Sequence, residues 1–161
     1  MDILALDPAT KCGFEHSSGF GGVWDLSVKQ DESSGMRFMR LYAHLTEIHE
    51  DHGIDLLLFE SARNKQHART VVILARIQGT IELWATQNGV EYQPVSPMTI
   101  KAFADDAKFT KEKMIKEAKK HTGRRKIQSS DHADAILLLQ WGLKKYAGAT
   151  KPVFTGGLPE A

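Results

Sequence analysis

Two short apolar runs, each closed by an acid, constrain this chain more than any other feature. Residues 2–7, DILALD, and residues 54–60, IDLLLFE, are short and almost wholly apolar, which marks buried strands. Between them, KCGFEHSSG and FGGVWDLSV read as two further strands joined by a glycine-rich turn, a meander. From Ser33 to about His52 apolar residues recur at helical spacing (Met36, Met39, Leu41, Leu45, Ile48), with Gly53 as a C-terminal stop. Residues 64–88 predict a long helix, with Val72, Leu74, Ile77, Ile81 and Trp84 inward and Asn88-Gly89 as its exit.

VEYQPV reads as a strand stopped by Pro94 and Pro97. Residues 97–106 and 110–121 predict two short helices, the second capped by Thr110, and a last helix runs from about Ser130 to Tyr146. Three consecutive strands followed by alternating helix and strand predict an α/β fold, a mixed five-stranded sheet flanked by helices. This is the element order of the ribonuclease H-like fold. One domain is expected over residues 1–148, with a flexible, Gly/Pro-rich C-terminal tail at 149–161.

Composition narrows the class. Apolar residues make up 42% and charged residues 25%, which fits a globular domain and excludes a disordered chain. No run of about 18 apolar residues is present, so a membrane span is not expected. The opening MDILALDPAT carries an acid where a signal peptide is basic, and the single Cys12 has no internal disulfide partner. Both features predict a cytoplasmic protein, associated with the nucleoid if it acts on DNA. The net charge of +1 hides an asymmetry: residues 1–60 hold 4 Lys/Arg against 11 Asp/Glu, and residues 108–126 hold 9 against 2. The basic segment fits either a polyanionic partner or a solvated helix face.

Four acids interrupt apolar sequence at element ends. Asp7 and Glu60 close the two buried runs, and parallel strands so ended present both carboxylates at one edge of the sheet. Asp131 and Asp134, in SSDHADAILLLQW, are three apart at the mouth of the last helix and share a face. Taken singly, each has a plainer use: Asp131 or Asp134 as a helix cap or dipole partner, Asp7 before Pro8 as a turn-former, Glu60 as the start of the next helix. Together they suit hard divalent cations, which neutralise like charges and can activate water at a phosphodiester. His132 projects about 100° from Asp131 around the helix and reads as a supporting or surface group, not a ligand. The other histidines show no zinc spacing with cysteine.

Several of these stretches resemble RuvC-type Holliday junction resolvases of the ribonuclease H-like superfamily. ILALDPATKCGF is similar to the family's first strand, IDLLLFE to its glutamate-bearing strand, and LARIQGTIELWA to the helix that follows. VSPMTIKAFADDAKFTKEKM resembles the segment in which a Val/Ile-Lys pair precedes a loop and a second helix. SSDHADAILLLQWGL matches a D-x-A-D-A helix. The resemblance covers residues 2–146 and implies a magnesium-dependent endodeoxyribonuclease acting in DNA recombination and repair. It implies Asp7, Glu60, Asp131 and Asp134 as ligands of two Mg²⁺ or Mn²⁺ ions, with Lys113 near the scissile phosphate.

The substrate so implied is four-way or related branched DNA, nicked in pairs to leave 5′-phosphate and 3′-hydroxyl ends. A homodimer supplies the two sites that paired cuts need. DNA contacts are expected from Arg63, Lys65, Arg69, Lys101, Lys108, Lys111, Lys113, Arg124 and Arg125. On charge alone Lys101 and Lys113 are also ordinary solvated lysines. Three positions depart from the family pattern: Ala9 replaces a usual glycine, Arg63 a usual aromatic, and ADDAKFTK a glycine-rich turn. Other nucleases of this fold, cutting RNA–DNA hybrids or flaps, and a non-cutting branched-DNA binding module are the competing readings.

Overall fold

The strands assemble as the apolar runs require. β1 (Ile3–Asp7), β2 (Lys11–His16) and β3 (Gly21–Asp25) form an antiparallel meander. β4 (Leu56–Glu60) runs parallel beside β1, and β5 (Glu91–Val95) parallel beside β4, in the order β3-β2-β1-β4-β5. The two acid-ended runs are therefore adjacent central strands. This computed structural model describes residues 1–61, 68–104, 110–123 and 125–149.

Among the described residues five helices cover the sheet: α1 (Met36–His52), α2 (Ala68–Gln87), α3 (Pro97–Phe103), α4 (Lys111–Thr122) and α5 (Ser130–Lys145). Strand side chains alternate between faces, and the two cores divide accordingly. Leu4, Leu6, Leu57 and Phe59 pack with Leu41, Leu45, Ile77, Ile81 and Trp84 under α1 and α2. Ile3, Ala5, Leu56 and Leu58 pack on the other face with Ile100, Ala118 and the apolar residues of α5. Ile136, Leu137 and Leu138 are at most 1% exposed, each contributing about 1.5–3 kcal/mol.

Glycines set how closely α5 lies on the sheet. A Cβ on Gly13 of β2 would stand 2.0 Å from the Asp131 carbonyl oxygen, so the first turn of α5 rests directly on strand backbone. At the far end, a Cβ on Gly142 would meet Leu58 Cδ1 at 2.3 Å. Gly53 and Gly89 end α1 and α2 with φ of 74° and 64°, a region costly for other residues.

Several sequence expectations need correction. α1 begins at Met36 after Gly35, not at Ser33. Met39 and Val72 are 65% and 50% exposed, because at about 100° per residue each stands across its helix from the buried stripe, Leu41, Leu45 and Ile48 in α1 and Leu74, Ile77 and Ile81 in α2. Pro94 does not stop β5 but pairs with Phe59 inside it, as an edge strand permits. α3 ends at Phe103 instead of 106. The expected start of α2 at residue 64, and the tail from residue 150, lie outside the described residues.

Candidate active site

Strand pairing brings the first two acids together. Leu6 pairs with Phe59, so Asp7 and Glu60 follow at the same level on adjacent parallel strands. Alternation places both on the face that α5 covers, in line with Ile3 and Ala5 and with Leu56 and Leu58 respectively. Gln78 of α2 donates to the Glu60 carbonyl at 3.0 Å, tying the end of β4 to the opposite layer.

The helix supplies the other pair. Ser129 caps α5, its hydroxyl accepting the His132 N–H at 3.2 Å, so neither Asp131 nor Asp134 serves as the cap. Gly13 is the residue paired with Asp7 on β1, and the Asp131 backbone lies over it. Asp131 thus stands beside Asp7 at the strand ends, and Asp134 follows on the same helix face. All four acids are half-buried. The charge of two of them is felt at Cys12, whose thiol is pushed far up by burial first and then by Asp7, with a smaller push from Asp131.

The donor set is all carboxylate, which suits Mg²⁺ or Mn²⁺ and not zinc or copper. Among the described residues, however, no three His, Cys, Asp or Glu side chains are grouped closely enough to hold an ion. The backbone brings the four positions to one edge; it does not draw a finished coordination shell.

The basic residues fall into three sets. Lys111 and Lys113 are exposed in the first turn of α4, where Thr110 accepts the Lys113 N–H at 3.4 Å, and α4 packs on α5. Lys101 is in the last turn of α3, which also touches α5, and Arg69 is exposed at the start of α2. Arg63, Lys65, Lys108 and Arg124 lie outside the described residues. Arg125, expected as a DNA contact, directs its guanidinium to Glu15 and to the Gly19 carbonyl.

Glu15 is the site residue that sequence reading missed. It is the penultimate residue of β2 and 3% exposed, yet both its oxygens are bonded. Arg125 forms an ion pair with one oxygen and donates to the other at 3.1 Å; His132 Nε2 donates to that second oxygen at 2.9 Å. His132 Nδ1 accepts the Gln128 N–H at 3.2 Å, which leaves Nε2 as the nitrogen that donates to Glu15. Burial alone would raise the Glu15 carboxyl, but the hydrogen bonds from His132 and Arg125 and the guanidinium charge hold it below its ordinary value. Gly21 leaves room for the carboxylate, since a Cβ there would stand 1.7 Å from Glu15 Oε2. The sequence held one signal, a charged residue at the end of the buried run Cys12-Gly13-Phe14.

No protein-family model matches the chain. It is similar to a crossover junction endodeoxyribonuclease RuvC of Brachyspira hyodysenteriae, 23% identical over 146 residues, 86% of this chain and 91% of the relative. In structure it is similar to Thermus thermophilus RuvC in complex with a Holliday junction substrate, with TM-score 0.76 and 17% identity over 94% of this chain and 99% of that one. A second Thermus thermophilus RuvC structure matches at TM-score 0.69 and 20% identity, with the same coverage. The fold is therefore the RuvC, ribonuclease H-like architecture expected from the sequence.

Proposed function

We propose that this chain is a metal-dependent endodeoxyribonuclease that resolves four-way or related branched DNA by paired nicks, leaving 5′-phosphate and 3′-hydroxyl ends. One observation carries the reading: Asp7 and Glu60 end adjacent parallel strands on the face where Gly13 seats the first turn of α5, which bears Asp131 and Asp134. The RuvC fold and the RuvC relative support it.

Asp7, Glu60, Asp131 and Asp134 are the residues assigned to hold two Mg²⁺ or Mn²⁺ ions. Such ions, when bound, activate a water and stabilise a departing 3′-oxygen. Four neighbouring carboxylates of like charge would favour a bound divalent cation, which offsets their repulsion. Lys113, exposed on α4 beside α5, offsets charge on the scissile phosphate. Arg63, Lys65, Arg69, Lys101, Lys108, Lys111 and Arg124 are assigned to the DNA backbone, so affinity falls steeply with salt.

The protein acts as a homodimer through α2. Val72 and Leu83 are 50% and 56% exposed, and eleven positions apart they lie within about 20° on the helix. A Cβ on Gly79, on the same face, would meet nothing within 4 Å among the described residues, which leaves room for a close neighbour.

Nicking of an end-labelled four-way junction by wild type and Asp131→Asn, with Mg²⁺ and with EDTA, tests the reading. Symmetric paired nicks that vanish in EDTA and in the variant, with junction binding kept, are expected. Hybrid or flap cleavage exceeding junction cleavage would replace the substrate, and binding without nicking would leave a branched-DNA binding module.

A further inference from the structure

Glu15 is an expensive residue to bury. A carboxylate under a packed helix is tolerated only when paired and fully hydrogen-bonded, and apolar residues of similar volume often stabilise a fold as well or better. Among the described residues no buried side-chain nitrogen or oxygen lacks a partner, so this network is complete.

Its connections explain what it does. Arg125 precedes the segment that leads into α5, and His132 lies in the helix's first turn. Glu15 grips both, while the Gln128 N–H binds the intervening backbone to His132 Nδ1 and the Ser129 hydroxyl accepts the His132 backbone N–H. Two positions along the same face of β2, Gly13 seats the Asp131 carbonyl. One contact is steric and the other polar, and together they set both the height and the rotation of the helix mouth. Apolar packing alone, being non-directional, fixes rotation poorly.

We infer that Glu15 is a positioning residue which, through His132 and Arg125, fixes the first turn of α5 so that Asp131 and Asp134 meet Asp7 and Glu60. The inference rests on the proposed function of those four acids. It assigns Arg125 to the protein's interior economy of charge instead of to DNA.

The test compares His132→Asn with His132→Gln. Glutamine extends a donor amide to about the reach of Nε2, whereas asparagine stops near Nδ1 and leaves Glu15 without that donor. Mn²⁺ affinity is measured by calorimetry without DNA, single-turnover nicking in Mg²⁺, junction affinity in EDTA, and amide hydrogen exchange over residues 129–136. His132→Asn is expected to lose about 10–100-fold in Mn²⁺ affinity and nicking rate, as groups supporting metal ligands typically do. Its junction affinity stays within about twofold, its first-turn amides exchange faster, and His132→Gln recovers most of the loss.

Equal Mn²⁺ affinity and exchange in wild type and both variants would overturn the inference. So would equal losses in both variants accompanied by loss of junction affinity, which would mark a merely structural histidine. If wild type nicks no branched DNA, the nuclease reading fails, while Mn²⁺ affinity and exchange still decide the positioning role. A wild type that binds no Mn²⁺ sinks both.

Discussion

The first turn of α5 and the turns after it lie on one sheet face, yet different forces hold them. From Ile136 to Leu139 the helix is held by apolar burial against Ile3, Ala5, Leu56 and Leu58. The first turn is held by directed contacts: the Ser129 cap, the Glu15 carboxylate on His132, and strand backbone at Gly13. Apolar burial supplies free energy without direction, and the polar contacts supply direction at a desolvation cost. A helix that only filled a core would need the first; one that aims carboxylates needs both.

Mutations in the two regions should therefore separate chemistry from stability. The largest effect is expected at the strand end: Asp7→Asn lowers single-turnover nicking by at least about 10³-fold, comparable to losing a principal charge-stabilising group. Thermal melting of that variant should move little. A melting temperature that falls in step with activity would erase the distinction.

Leu138→Ala, in the apolar half, should do the reverse. Truncating a side chain 1% exposed costs about 2–5 kcal/mol in denaturant unfolding. Nicking per folded molecule should stay near wild type.

Gly13→Ala sharpens the comparison because its obstacle is backbone, 2.0 Å from the new methyl. Overpacking of this kind costs about 1–3 kcal/mol and tilts the mouth of α5 off the sheet. Mn²⁺ affinity should drop more than stability does. Gly142→Ala meets only the end of the Leu58 side chain, which can shift, and should leave Mn²⁺ affinity intact.

The smallest effect is a pH dependence. Glu15 is held below its ordinary value of 4.5 by His132 and Arg125 against the cost of burial. Its contribution to stability is complete above that value, because folded and unfolded chains are then both ionised. It is lost as pH falls toward the folded value, since the unfolded chain takes up the proton first. Glu15→Gln should flatten this acid limb in pH-dependent melting. His16, lowered chiefly by burial, begins its own decline nearer 6.5, so the difference curve is to be read below that range.

Much of this was legible in the chain because it depends on local pattern. DILALD and IDLLLFE declared buried strands, and the acids closing them mark the sheet edge of the proposed site. Helix faces need the full angular count: Val72, grouped inward by its apolar character, stands across α2 from Leu74, Ile77 and Ile81 at about 100° per residue and is 50% exposed. Pro94 looked like a stop because an edge strand cannot be told from a central one before the sheet order is known. Glu15 was illegible for the strongest reason, since its partners Arg125 and His132 lie 110 and 117 residues away. His132 was read as a supporting or surface group, and only the fold shows which group it supports.

The most direct test is a crystal of the wild-type protein soaked in Mn²⁺, with anomalous difference density calculated at the manganese edge. Peaks within coordination distance of Asp7, Glu60 and the α5 carboxylates are predicted, about 4 Å apart if two ions bind. Peaks elsewhere, or none at a concentration where solution binding is saturated, would contradict the assignment of these four acids.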